Sequence, residues 1–128
     1  MGKKANPDTE GNYLKAIYML AATEPKKVTL TTLAEVLHIN PPSILDMMRK
    51  LGAKNLVHYD KKTGIKLTEE GNKAAESIVR KHRLWEAFLT QKLGYGKEQA
   101  PEIAEQLEFI EGPQLADKLD KFLGYPKE

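Results

Sequence analysis

Cysteine is absent from this chain of 128 residues. That removes a disulfide scaffold, a thiolate metal site and a thiol nucleophile together. Long apolar runs are absent too, and none approaches the ~20 residues needed to span a bilayer. The opening MGKKANPDTEGNY is polar and lacks the apolar core of a signal peptide. The simplest expectation is a cytoplasmic protein with no membrane partner. There is neither an internal repeat nor a low-complexity segment. The single Trp, Trp85, and the Met47-Met48 pair sit at helical core spacing and are read as packing. Charged residues make up 30% and hydrophobic residues 41%, a balance that supports a folded core rather than disorder. The length suits one core, or a small domain with a helical appendage.

The formal net charge of +2 conceals an asymmetry. From Asn40 to Arg83 ten basic side chains face five acidic ones, a local charge of +5; from Lys97 to Glu128 four bases face eight acids, a local charge of −4. A basic middle and an acidic tail fit one half that meets a polyanion and another half with a different task.

The basic part centres on VTLTTLAEVLHINPPSILDMMRKLGAKNLVHYDKKTGIKLT, Val28 to Thr68. Thr29 is expected to cap a helix carrying Leu33, Ala34 and Leu37 on one apolar face. His38-Ile39-Asn40 breaks that pattern. Asn40 followed by Pro41 and Pro42 starts a second helix, with a capping side chain and then rings placed where N–H groups lack partners anyway. Ile44, Met47, Met48 and Leu51 turn inward, leaving Ser43, Asp46, Arg49 and Lys50 outside. Asn55 suits the left-handed stop. Leu56 to Tyr59 reads as a strand, Asp60 to Gly64 as a turn, and Ile65 to Leu67 as the return strand. Helix, turn, helix, hairpin is the layout of a winged helix-turn-helix, whose second helix enters the major groove. The candidate contacts to double-stranded DNA are Thr31, Asn40, Pro42, Ser43, Asp46, Arg49 and Lys50, with Lys61 and Lys62 on the wing. Lys66 adds charge suited to a phosphate backbone.

Upstream, Asn6-Pro7 with Asp8, Thr9 and Glu10 reads as a helix start. Leu14, Ile17, Tyr18 and Ala21 form its apolar face, with Tyr13 and Leu20 close by, and Glu24 to Lys27 is a connecting turn. Downstream, Thr68-Glu69-Glu70 opens a long helix reaching Leu93. Ala74, Ala75, Ile78, Val79, His82, Trp85, Phe88 and Leu89 supply its periodicity, and Gly94 ends it. Two shorter helices follow, Pro101 to Glu111 and Pro113 to Phe122. Helices this short bury little alone. Their stripes, Ile103, Leu107 and Ile110, then Leu115, Leu119 and Phe122, are expected to pack against the long helix and against a second copy of the chain, as two-fold DNA sites require. The expected architecture is mainly α: a winged helix-turn-helix over residues 1–70 and a helical dimerisation and metal-binding domain over 71–128.

Asn12-Tyr13-Leu14-Lys15-Ala16-Ile17-Tyr18, Leu33-Ala34-Glu35, Pro42-Ser43, Gly64 to Gly71, Lys81 to Leu89 and Ala104 to Glu108 occur in an order that resembles the metal-dependent repressors of the diphtheria-toxin-repressor and manganese-transport-regulator family. The resemblance covers nearly the whole chain, and the KHRLWEAFL stretch is its most specific part. It implies a homodimeric repressor of metal-homeostasis genes responding to Mn(II) or Fe(II). It also implies metal ligands at His82, Glu86, Glu105 and Glu108. Four positions depart from the family's ligands: Asn12 and Lys15 replace carboxylates of the manganese-type members, and Pro101 and Phe109 replace histidines.

A set of one imidazole and three carboxylates suits Mn(II), while each lost imidazole weakens binding of every transition metal. His82 and Glu86, four apart on one helix face, can share a metal ion or hydrogen-bond to each other and hold the helix in place. Two alternatives therefore stand beside a metal-gated repressor. One is a DNA-binding homologue without the metal switch. The other is a helical carboxylate-metal enzyme, although the paired Glu-x-x-His motifs of that class are missing. The expected answer is a regulator and not an enzyme.

Overall fold

The computed structural model describes residues 9–23 and 27–124. Among them are α1 (Thr9–Thr23), α2 (Leu30–Leu37), α3 (Pro41–Ala53), β1 (Val57–Asp60), β2 (Gly64–Leu67), α4 (Glu69–Gln91), α5 (Ala100–Leu107) and α6 (Leu115–Phe122). The helix start expected at Asn6 to Asp8 and most of the turn at Glu24 to Lys27 lie outside the described residues. No helix among the described residues is long and apolar enough to cross a membrane. The chain divides into two compact units, one up to Glu76 and one from Ser77.

In the first unit, apolar residues of every element meet in one core. Tyr13, Leu14 and Ile17 come from α1, Leu33 and Ala34 from α2, and Ile44, Met48 and Leu51 from α3. Val28, Val57, Ile65 and Ala75 complete it. Leu33, Ile44 and Leu51 are fully buried, each worth roughly 1.5–3 kcal/mol of transfer free energy. The expected inward stripe of α3 is therefore the observed one, with Met47 half-buried beside it. Tyr18 and Leu20 flank the core from α1, but Ala21, expected on the buried face, is exposed. The last turn of α1 reaches the edge of the core, where Leu20 still packs and Ala21 is left uncovered by the described residues.

The hairpin is antiparallel, pairing Val57 with Leu67, His58 with Lys66, Tyr59 with Ile65 and Asp60 with Gly64. Alternation sends Val57 and Ile65 inward and leaves His58 and Lys66 exposed. Asp60 Oδ2 accepts from the Thr63 backbone N–H at 3.1 Å and from its hydroxyl at 3.2 Å, which closes the turn. Val28 bridges to Ile65 along the outer edge of β2, and the Ile65 N–H donates to the Val28 carbonyl at 2.8 Å. That approach demands glycine at position 64. Its φ is +88°, and a Cβ there would lie 2.6 Å from the Val28 carbonyl oxygen. Asn55 takes φ +62° just beyond α3, as its stop role requires. Thr68 caps α4 by accepting from the Gly71 N–H at 3.0 Å, while its hydroxyl donates to the Asn55 carbonyl at 2.7 Å.

In the second unit, Leu89, Ala100 and Ala104 are buried together, with Trp85, Ile103 and Leu107 around them. Trp85 meets Phe88 edge-on at 5.8 Å, Phe88 lies 6.0 Å from Phe122, and Lys92 Nζ sits 5.2 Å over the Phe122 ring. Arg80 on α4 reaches α6, bonding Asp117 at 2.9 Å and Asp120 at 3.1 Å. The Asp117 hydrogen bond, helped by Asp120 and opposed by partial burial, holds the Arg80 guanidinium above its ordinary pKa.

The helix ends of this unit differ from expectation. α4 stops at Gln91 rather than Leu93, because the Leu93 N–H turns back to the Phe88 carbonyl and the Tyr95 N–H to the Leu89 carbonyl around Gly94, at φ +77°. α5 covers Ala100–Leu107 rather than Pro101 to Glu111. Glu108 is its C-cap, the Ile110 N–H returns to the Leu107 carbonyl, and Gly112-Pro113 disfavours continuation. α6 begins at Leu115 rather than Pro113, because Gln114 adopts φ +59°, outside helical space.

Gly64→Ala combines a strained φ with a backbone clash. It is expected to cost about 2–3 kcal/mol, measured as a lower denaturation midpoint at unchanged m-value. A cost near zero would mean that Val28 does not hold the wing.

Candidate DNA-reading face and metal-ligand cluster

The α2–α3 pair is built by local capping. Thr29 Oγ1 accepts from the Thr32 N–H at 3.0 Å. His38 closes α2 at φ +58°, its N–H bonded to the Ala34 carbonyl. Asn40 Oδ1 accepts from the Ser43 N–H at 3.0 Å, with Pro41 and Pro42 following as the first helical residues. Both expected caps are in place. With Ile44, Met48 and Leu51 fixed in the core, the opposite face of α3 consists of exposed Pro42, Ser43, Asp46, Arg49 and Lys50. Thr31 and Asn40 are exposed as well.

On this face Asp46 Oδ1 accepts from Arg49 at 3.3 Å, with the two side chains 77% and 70% exposed. An ion pair this open contributes little to stability. Lys61, Lys62 and Lys66 are exposed on the wing. Lys27 Nζ donates to the Lys62 carbonyl at 2.7 Å, which braces the tip and adds a fourth cation. No spacing rule would have revealed that brace, since its partners lie 35 residues apart. At the far end of α3, Lys54 pairs with Glu10 at 2.8 Å and ties that helix to α1.

In the second unit His82 lies between two carboxylates. Its Nδ1 is 2.8 Å from Glu108 Oε1 and its Nε2 is 3.1 Å from Glu86 Oε1. Glu108 is fully buried, whereas the Glu86 side chain is 39% exposed. Both ring nitrogens therefore have a carboxylate oxygen within 3.1 Å. Glu105, one turn before Glu108, is exposed, and Pro101 and Phe109 are half-buried. Among the described residues no group of three or more His, Asp or Glu side chains is arranged to hold a metal ion. The indole nitrogen of Trp85 is buried without a hydrogen-bond partner.

The expected dimerisation residues divide by exposure. Leu119 is buried in the chain's own unit, Ile103, Leu107 and Leu115 are half-buried, and Ile110 and Phe122 are exposed at 46% and 61%. Leu84 was not on the expected face of α4 and is buried.

Residues 7–65 match the iron dependent repressor N-terminal DNA binding domain, and residues 68–128 match the iron dependent repressor metal binding and dimerisation domain. An uncharacterised HTH-type transcriptional regulator of Methanocaldococcus jannaschii is 32% identical over 112 residues, 88% of this chain and 90% of that protein. The HTH-type transcriptional regulator MntR of Bacillus subtilis is 29% identical over 117 residues, 91% of this chain and 81% of that one. Among solved structures, the manganese regulator SloR superposes with a TM-score of 0.79 at 39% identity, over 92% of this chain and 54% of its own. ScaR with bound Zn2+ gives 0.81 at 39% identity, over 93% and 55%. The chain thus spans about half the length of these solved relatives but nine-tenths of the archaeal one. With a winged helix-turn-helix in its first unit and both family domains matched in order, the chain belongs to the iron-dependent repressor family of DNA-binding transcriptional regulators.

Proposed function

We propose that this protein is a homodimeric repressor of metal-homeostasis genes, cytoplasmic and not an enzyme, whose grip on a duplex operator responds to Mn(II) or Fe(II). The observation that carries the reading is the α3 face. Its caps are made, Ile44, Met48 and Leu51 are spent in the core, and the exposed Ser43, Asp46, Arg49 and Lys50 stand on a face that belongs to the same unit as a lysine-bearing wing. Such a face meets base edges through the first turns of the helix, while Lys61 and Lys62 hold the phosphate backbone. The first unit reads DNA on this assignment, and the second dimerises and senses metal.

The donors present fit a divalent cation in type. His82 Nε2 and the Glu86 carboxylate, 3.1 Å apart, would hold it, with Glu108 on Nδ1 fixing the ring's orientation. By the family resemblance Glu105, exposed on α5, would be a further carboxylate ligand. No thiolate is available, and a carboxylate-rich set favours Mn(II). When bound, the cation supplies positive charge between carboxylates and, by linkage, stabilises whichever arrangement of the chain holds it best. A second reading, a homologue that binds DNA without metal, is favoured by one observation: no three donors converge among the described residues.

Fluorescence anisotropy on the duplex upstream of this protein's own gene separates the readings. In Mn(II), binding is expected to be at least ten-fold tighter than in chelator, and His82→Ala should abolish the gain. Equal and specific binding in chelator would establish the metal-independent homologue. Absence of any sequence-specific binding would overturn both.

Two further outcomes follow from the same assignment. Replacing Lys61 and Lys62 by Gln should reduce the salt slope of log K by about 1 per lysine, with little effect on sequence preference. Phe122→Glu should shift sedimentation equilibrium towards monomer without loss of helical circular dichroism. An unchanged association constant would place the interface elsewhere.

A further inference from the structure

We propose that Asp46 and Arg49 act as one base-reading unit, selecting a cytosine–guanine pair in each half of the operator. This rests on the DNA-binding reading above and specifies what the exposed face of α3 reads.

Asp46 lies in the second turn of α3, on the side opposite Ile44, Met48 and Leu51. Its neighbours on that face are Pro42, Ser43, Arg49 and Lys50, and its side chain is 77% exposed. An ionised carboxylate only accepts hydrogen bonds. In the major groove the base-edge donors are the amino groups of cytosine and adenine. Adenine sets its amino group beside the N7 acceptor, which suits an amide and repels a carboxylate. Cytosine has no acceptor there, so the carboxylate's natural partner is cytosine N4.

Its partner in the pair, guanine, presents two acceptors, O6 and N7, which match the guanidinium fork of Arg49. The 3.3 Å ion pair between Asp46 and Arg49 keeps an acceptor and a donor side by side. That is the complement of the donor-then-acceptor edge of a C·G pair. The pairing also serves electrostatics. A lone carboxylate in the groove would be repelled by phosphates on both sides, and Arg49 neutralises it locally without drawing on the wing lysines.

Both side chains are exposed and make no core contact, so their substitution leaves the fold intact, as circular dichroism of each variant would verify. The test is selection of duplexes from a random pool by the purified full-length chain in Mn(II), followed by anisotropy on the selected duplex with each base pair substituted. The wild type is expected to enrich a C·G pair at one position per half-site. Replacing that pair by T·A or A·T should weaken binding by roughly ten-fold. In Asp46→Asn the preference should move to adenine at that position alone, and in Arg49→Gln the guanine preference should relax there. If the wild type selects a clear sequence but Asp46→Asn leaves every position unchanged, or if the wild type prefers adenine opposite Asp46, the base-reading unit is overturned while DNA binding stands. If no sequence is enriched, the DNA-binding reading fails and this inference fails with it.

Discussion

An imidazole with a carboxylate at each nitrogen is a constraint that reaches well beyond its own residues. His82 Nδ1, 2.8 Å away, helps to compensate the complete burial of Glu108, since an uncompensated carboxylate in that position would cost several kcal/mol. Burial of Glu108 in turn fixes where α5 ends, because the residue that must reach His82 is the C-cap of that helix. Nε2 then faces Glu86 one turn along α4. The second unit thus contains a close-packed chain of polar groups that runs from a buried acid, through a ring, to a half-exposed acid. The exposed end of that chain is where a cation would compete.

The first unit follows a different logic. Among the described residues its core side chains are apolar apart from the phenol of Tyr13, and its hydrogen-bonding side chains serve mainly at caps and on the surface. Asn40 illustrates the economy: one side-chain oxygen on the Ser43 N–H starts α3, and the position of that start decides which residues of the helix face outward. A shift of one residue would rotate Asp46 and Arg49 by about 100° and bring apolar side chains to the surface. The wing depends on similar local decisions, at Gly64 beside Val28 and at Thr68 between Asn55 and Gly71.

These decisions explain how much could be read from the chain alone. Thr29, Asn40 and Asn55 act within a few residues of themselves, so their caps and stops were legible. So was the apolar stripe of α3, because a period of 3.6 residues leaves little choice for Ile44, Met48 and Leu51. What was illegible is what depends on distant partners. Nothing local indicates that Glu108 is a fully buried cap rather than mid-helix, that Arg80 bonds Asp117 and Asp120, or that Lys27 braces Lys62. Ala21 and Leu119 show the same limit from the apolar side. Periodicity indicates that a residue faces something, while the edge of the core decides whether anything is there. The resemblance supplied His82, Glu86, Glu105 and Glu108 together; the structure brings the carboxylates of Glu86 and Glu108 within 3.1 Å of the His82 ring and leaves Glu105 exposed.

The central proposal is that Nε2 of His82 and the Glu86 carboxylate take up a divalent cation between them. Electron paramagnetic resonance of free Mn(II), followed as the ion is added to metal-free protein, tests this most directly. Uptake should suppress the free-ion signal until the sites are filled, and both His82→Ala and Glu86→Gln should restore it at the same protein concentration. A signal that rises from the first addition as it does in buffer, or uptake unaffected by either substitution, would contradict the proposal.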